Sequence, residues 1–203
     1  MNLADFFTFF PNKYFRDDKG RFTKNIILPT ENGNPLPNNI KDPLLGNMLG
    51  DGHLRFTHKD KIGKPKLGTN ALYTMTLKSQ EYIMYLCSKF YFKFFTTTLP
   101  RPWPSPNTRL PATQYSFNSR SLSQLILLQS LWYVWSNELN KFIKIVPLNI
   151  KELLTPIGIA QWKLDYGYRA GNRVILYTDN YTLSEVELLI SVLTNKFGLD
   201  AKL

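Results

Sequence analysis

The sequence predicts an α+β fold in which a helix–strand–strand–helix–strand–strand–helix (αββαββα) unit is laid down once and then begun again, with saddle-shaped antiparallel sheets under two central helices. Three observations predict it. Two apolar helical runs, Pro43–Gly52 and Glu152–Gly167, each close on glycine, with the closing glycines 115 positions apart. Each run is followed by a pair of alternating segments and then by another helical run. With 43% hydrophobic and 14% aromatic residues in 203, the chain can also bury a core for one or two domains, which excludes wholesale disorder.

The elements follow in order. Residues 1–42 are rich in Pro, Asn and Gly, as in PTENGNPLPNN, and read as an extension with little regular structure. Asp42 is a candidate N-cap with Pro43 in the first turn of the first apolar helix. HLRFTH and ALYTMTLK then alternate as strands do, joined by the basic loop KDKIGKPKLGTN. Ser79 is placed to cap a helix through QEYIMYLCSKFYFKF; PRPWPSPN and PATQYSFNSR read as short strands; SLSQLILLQSLWYVWSNELNKF reads as one long apolar helix.

The pattern restarts at Glu152 with a second apolar helix, expected to run to Gly167. A tight hairpin over Tyr168–Thr178 turns about Ala170-Gly171-Asn172, and Thr182-Leu-Ser-Glu185 is a capping box for a helix stopping at Gly198. Leu199–Leu203 read as the start of a strand, which makes the second copy incomplete. The expected organisation is an extension over 1–42, a first repeat over 43–147 and a shortened second repeat over 148–203.

Charge narrows the partners. The net charge is +10, and residues 53–137 hold eleven basic residues against two acids, Asp60 and Glu81. Solvated faces normally mix signs, so this excess marks a surface for a polyanion, nucleic acid before membrane. Arg55, Lys59, Lys61, Lys64, Lys66, Lys78, Arg101, Arg109 and Arg120 are the candidate nucleic-acid contacts. Cys87, the single cysteine, lies in an apolar run and excludes a disulfide scaffold. The N-terminus carries neither a signal-peptide pattern nor a membrane span. His53 and His58 give little case for zinc without further ligands. The tryptophans read as core except Trp103, which sits in a Pro-rich exposed stretch.

Small residues at Gly46 and Gly50 on one helix and at Gly158 and Ala160 on the other allow close side-by-side packing. That packing would bring Asp51 together with Asp165 and Tyr166 at the helix C-termini. Carboxylates are disfavoured there by the helix dipole, which a divalent cation such as Mg²⁺ would offset. A cation so held would polarise a phosphodiester and activate water for in-line attack.

LLGNMLGDG (Leu44–Gly52) resembles the signature of the LAGLIDADG homing endonucleases, and LTPIGIAQWKLDYG (Leu154–Gly167) resembles the second copy in their single-chain, organellar members. The resemblance covers the chain from about Asp42 onward. It implies a catalytic carboxylate at the penultimate motif position of each repeat, binding Mg²⁺. That position is Asp51 in the first repeat and Tyr166 in the second, where Asp165 stands one residue early. One residue on a helix rotates a side chain by about 100°, so Asp165 should not point where the family's ligand points. The resemblance also implies a basic residue beside each site; Lys144 matches the first by its spacing to the second motif, and the second has no counterpart in this chain.

These losses favour a homing-endonuclease-like protein with lost or impaired cleavage, whose basic first repeat binds structured RNA such as a group I intron or ribosomal RNA, in the manner of a maturase. The alternative is an active Mg²⁺-dependent sequence-specific DNA endonuclease or nickase, and a third reading is a DNA-binding regulator. A ribosomal or other protein covering the edge of the second sheet is an expected further partner. Seventeen asparagines among many Lys, Phe, Tyr and Ile suit an AT-rich mitochondrial or other organellar genome.

Overall fold

A computed structural model of the chain describes residues 36–66, 68–91 and 100–203. The expected extension, except at its last residues, and Lys93 lie outside the described residues.

The first helix, α1 (Asn38–Leu49), starts five residues earlier than expected and carries Pro43 inside it. Pro43 lacks only the one N–H that would bond the Asn39 carbonyl. Burial of Leu36 and Ile40 offsets that loss, at about 2 kcal/mol for a fully buried aliphatic side chain. From Pro43 to Leu49 every residue is buried, so α1 is a core helix and not an amphipathic one.

The long-looped hairpin forms as expected: β1 (His53–Phe56) pairs antiparallel with β2 (Ala71–Leu77). Two further strands, β3 (Arg101–Trp103) and β4 (Gln114–Asn118), complete an antiparallel sheet of order β1-β2-β4-β3. Alternation fixes its faces. Leu54, Phe56, Ala71, Tyr73, Met75, Leu77 and Phe117 point into the core. The register sets His53 opposite Thr74, Thr76 opposite Ser116 and Arg101 opposite Ser116, so the other face is polar.

Between these hairpins, α2 (Gln80–Leu86) is capped by the Ser79 hydroxyl, which accepts the Tyr82 N–H, and the chain continues as a π-type turn over Cys87–Tyr91. Cys87 is buried and unpaired by disulfide, and burial pushes its thiol up to about 12.

The long apolar run after β4 is not one helix. It divides into α3 (Gln124–Trp132) and a hairpin of β5 (Tyr133–Ser136) and β6 (Lys141–Lys144). The aromatic and β-branched run Tyr133-Val-Trp135 favours strand, and Asn140 turns the chain in the left-handed region at φ 47°. Trp135 packs edge-on against Phe142 at 5.1 Å, and Phe142 reaches Phe56 at 5.7 Å, tying this hairpin to the first sheet.

The second apolar helix is also shorter than expected. A single turn, α4 (Ile150–Leu153), precedes α5 (Pro156–Tyr166), because Thr155 is extended, caps the Gly158 N–H with its hydroxyl and puts Pro156 at the first helical position. The tight hairpin of β7 (Gly167–Ala170) and β8 (Arg173–Leu176) follows, with Gly171 at φ 61° in its turn. The capping box is present at α6 (Leu183–Phe197), which ends on left-handed Gly198. Leu199–Leu203 form no strand, contrary to expectation: the Leu199 N–H is used on Leu193 C=O to close the helix end. Of the expected antiparallel sheets, the first repeat forms one of four strands, and the second repeat contributes the two-stranded β7–β8 sheet among the described residues.

Candidate nucleic-acid interface and active site

Helices α1 and α5 cross with their backbones in contact. A Cβ added at Gly46 would lie 2.0 Å from the Gly158 carbonyl oxygen, and one at Gly50 would lie 2.3 Å from Asp165 Oδ2. A side chain at Gly46 would run into backbone and one at Gly50 would displace the Asp165 carboxyl, so the sequence itself sets the approach that brings the two helix ends together.

At those ends the Asp51 N–H donates to Asp165 Oδ2 at 2.9 Å. Asp51 is exposed, whereas Asp165 is turned into the helix interface and its Oδ1 is buried without a hydrogen-bond partner. Asp165 thus faces the backbone of the first motif. Tyr166, at the aligned position, packs against the core and meets Tyr177.

Lys144, the last residue of β6, donates from Nζ to the Gly50 carbonyl at 2.7 Å and the Gly52 carbonyl at 2.8 Å. Tyr181 OH donates to the Leu49 carbonyl at 3.2 Å and the Met48 carbonyl at 3.3 Å. Both close the C-terminus of α1 from other elements, satisfying carbonyls the helix leaves unpaired. Burial pulls Lys144 down to about 8, against the opposing pull of Asp165 and Asp51. Burial and the Asp51 charge push Asp165 up to about 7, while the Asp51 N–H, Lys144 and the nearby Asn47 amide favour its ionised form. Asp51 opens to solvent on one side, yet the helix ends packed around it raise its pKa through desolvation, opposed by Lys144.

Beneath the carboxylates lies a buried polar network that sequence reading missed. Tyr91 OH donates to Asn47 Oδ1 at 2.6 Å, Asn47 Nδ2 to Tyr82 OH at 3.4 Å, and Tyr82 OH to Gln161 Oε1 at 3.1 Å. It links α1, α2 and α5. The available signal was a polar residue, Asn47 or Gln161, inside each apolar helical run.

Asp51 is an accessible carboxylate that could hold one Mg²⁺ with water and phosphate completing its shell; Asp165 Oδ1 is buried, and the described residues contain no group of three or more His, Cys, Asp or Glu able to hold a metal ion. A second Mg²⁺ is not favoured, because Lys144 occupies the Gly50 and Gly52 carbonyls and adds positive charge. A cation held there would polarise a phosphate, while Lys144 holds the helix end that carries Asp51.

Of the predicted basic residues, two stand on the polar sheet face and the others on loops and turns. Arg55 and Arg101 share that face with His53, Gln114 and Trp103, the last 62% exposed as expected. Lys59, Lys61, Lys64 and Lys66 are exposed on the β1–β2 loop, where Lys64 sits over the Trp135 ring at 5.3 Å. Lys78 follows β2, Arg109 ends the turn after β3 with φ 58°, and half-buried Arg120 follows β4. His53 is bonded to Tyr133 OH at 2.9 Å and has no metal-ligand cluster about it among the described residues. No helix is long and apolar enough to cross a membrane, among the described residues.

Comparison with known proteins agrees with this geometry. The chain is similar to the cytochrome b mRNA maturase bI2 of Saccharomyces cerevisiae, 28% identical over 189 residues, covering 90% of this chain and 43% of that protein. It is likewise similar to the cytochrome b mRNA maturase bI2 of Debaryomyces hansenii, 29% identical over 171 residues, covering 81% and 59%. The chain thus spans about half the length of these relatives. Its fold matches that of the homing endonuclease I-WcaI bound to its DNA recognition sequence, with a TM-score of 0.65 at 20% identity over 83% of this chain and 72% of that one. The profile of the LAGLIDADG DNA endonuclease family matches residues 42–203, and with two glycine-packed motif helices that place Asp51 just past the end of one and Asp165 in the last turn of the other, the chain belongs to that family.

Proposed function

We propose that this chain is a maturase-type LAGLIDADG protein: it binds structured intron RNA through the basic first repeat, and its paired double-strand cleavage is lost. The observation that carries the reading is Tyr166 at the second carboxylate position, with Asp165 turned inward onto the Asp51 backbone. Cutting two strands takes two equivalent half-sites, and here one carboxylate faces solvent while the other serves as a backbone acceptor. RNA binding by shape and phosphate contact needs the exposed bases of the sheet face and the β1–β2 loop, not a second cation. The maturase relatives support RNA as the partner, and they accord with an organellar address.

The test is splicing and binding of the intron RNA of the chain's own reading frame, alongside cleavage of a plasmid carrying the intronless junction. Tight RNA binding with accelerated splicing, and no linear plasmid in Mg²⁺, is the expected result. Mg²⁺-dependent linearisation abolished by Asp51→Asn would overturn it. The retained Asp51 and Lys144 favour one second reading, a nickase, which would leave open-circular plasmid and no linear product.

A further inference from the structure

The β7–β8 hairpin carries a row of tyrosines that neither the fold nor the carboxylate site requires. The Tyr177 N–H donates to the Tyr166 carbonyl at 2.9 Å, extending the hairpin pairing one step past Gly167 and Leu176. Tyr166 and Tyr168 therefore share a face with Tyr177 and with Arg173. The rings meet in sequence: Tyr166 and Tyr177 at 5.4 Å and 65°, then Tyr177 and Tyr168 at 5.7 Å and 32°. The inner end of the row abuts the Asp51 helix end, since a Cβ at Gly50 would lie 3.1 Å from Tyr166 Cβ. Its outer end is open, with Tyr168 47% and Tyr177 44% exposed. Residues 167–176 include Arg169 and Arg173 and no acid.

We propose that Tyr177 and Tyr168 form a stacking platform for unpaired RNA bases leading to the Asp51 site, with Arg173 meeting the phosphates. The proposal rests on the nucleic-acid reading above and adds which repeat takes unpaired nucleotides. A duplex presents its base faces only at its ends, so exposed aromatic faces gain nothing from a paired helix and much from splayed bases. The first repeat differs at the corresponding positions: after Asp51 its outward residues are His53 and Arg55. That side suits phosphates, and the hairpin side suits bases. Cross-strand aromatic pairing alone would stabilise the hairpin, but such a role gives no reason for Tyr168 to stay open to solvent.

The test is fluorescence anisotropy with a fluorescein-labelled 12-nucleotide oligoadenosine RNA and with a 12-base-pair RNA duplex. The Tyr168→Ala, Tyr177→Ala double variant should bind the single strand about tenfold more weakly, with duplex binding within about twofold of wild type. Tyr168→Phe should keep wild-type affinity for both. Unchanged single-strand affinity in the double variant, or equal loss on both probes, would overturn the platform. Tighter binding of single-stranded oligodeoxyadenosine than of its RNA counterpart would overturn the RNA assignment. A wild-type chain that binds the intron RNA but neither probe would overturn the platform alone, whereas one that binds none of the three would sink the nucleic-acid reading itself. Should the double variant not fold, wild-type crosslinking to 4-thiouridine RNA decides: adducts within 167–177 support the platform, and adducts confined to the first repeat refute it.

Discussion

Replacing Gly46 by alanine tests whether the helix contact is what assembles this protein. The new Cβ would stand 2.0 Å from the Gly158 carbonyl oxygen, a backbone atom that no rotamer change can move aside. Reaching the tight edge of real Cβ contacts, 3.0–3.4 Å, requires the helices to part by about 1 Å. Overpacking of this kind costs about 1–3 kcal/mol, and a gap of about 1 Å forfeits a quarter to a half of each facing dispersion contact. Alanine recovers about 1 kcal/mol through helix propensity. Because the clash is backbone on backbone, overpacking falls at the upper end of that range, and the net expectation is a loss of about 2 kcal/mol, which in a chain of this length lowers Tm by roughly 4–8 °C. Gly158→Ala is the internal control. Its Cβ would meet Leu154 Cδ1, a side-chain atom, at 3.2 Å and the Asp42 carbonyl at 3.3 Å, so propensity and crowding should cancel to within about 1 kcal/mol. Urea and thermal unfolding of the two variants give the comparison. Equal stability of the two, or a Gly46→Ala Tm within about 2 °C of wild type, would refute backbone-on-backbone packing as the organising contact.

Three further outcomes follow from the site and its supports. Asp165 is held near 7 in the folded chain against an unfolded value of about 3.9, so the folded state keeps a proton that the unfolded state releases, and stability falls as pH rises from about 4 to about 7. Asp165→Asn removes that fall while keeping an acceptor for the Asp51 N–H; its stability relative to wild type should rise by roughly 3–4 kcal/mol between pH 4 and pH 8, and parallel urea midpoints across that range would contradict the buried carboxyl. Lys144→Gln shortens the donor that closes α1 and should cost about 1.5–3 kcal/mol by urea unfolding, since the Gly50 and Gly52 carbonyls lose charged partners. Thr182→Ala should cost about 1 kcal/mol for its cap, and Glu185→Ala more than that, because Glu185 Oε1 also accepts the Val146 N–H at 2.8 Å; equal effects in thermal unfolding would show that the second bond contributes nothing.

Local rules carried the parts of the fold that local chemistry decides. The Ser79 cap, the Thr182–Glu185 box and the turn about Gly171 each pair one residue type with one backbone need, and each stands where the sequence placed it. The failures fall where tertiary contact outweighs local preference. The run Leu125–Phe142 is apolar enough for a helix, and the contact of Trp135 with Phe142 and of Phe142 with Phe56 helps make its second half a hairpin. Pro43 signals a helix start locally, but burial of Leu36 and Ile40 draws the helix back to Asn38. In the site, the approach of Asp51 and Asp165 was legible from the two motif helices, and Lys144 entered through the family resemblance. Asn47, Gln161, Tyr82, Tyr91 and Tyr181 were not, because their partners lie far away in sequence, from 35 residues for Asn47 and Tyr82 to 133 for Tyr181 and Met48.

The placement of Asp165 bears on more than metal binding. At the position occupied by Tyr166 a carboxylate would share the cleft mouth with Asp51, and two like charges there would call for cations between them. One residue earlier, the same carboxylate points at the Asp51 N–H and stands among the three tyrosines Tyr73, Tyr82 and Tyr91, whose deprotonation its charge opposes. Lys144 and Tyr181 hold the same helix end through its carbonyls. Three supports, one of them from the second motif helix and one from the segment leading into α6, thus converge on a single exposed carboxylate. In an arrangement evolved for two equal half-sites, each acid would face its own strand. On the function proposed above, the second repeat braces the first, and the meeting rings of Tyr166, Tyr177 and Tyr168 suit a ligand recognised by its bases and phosphates.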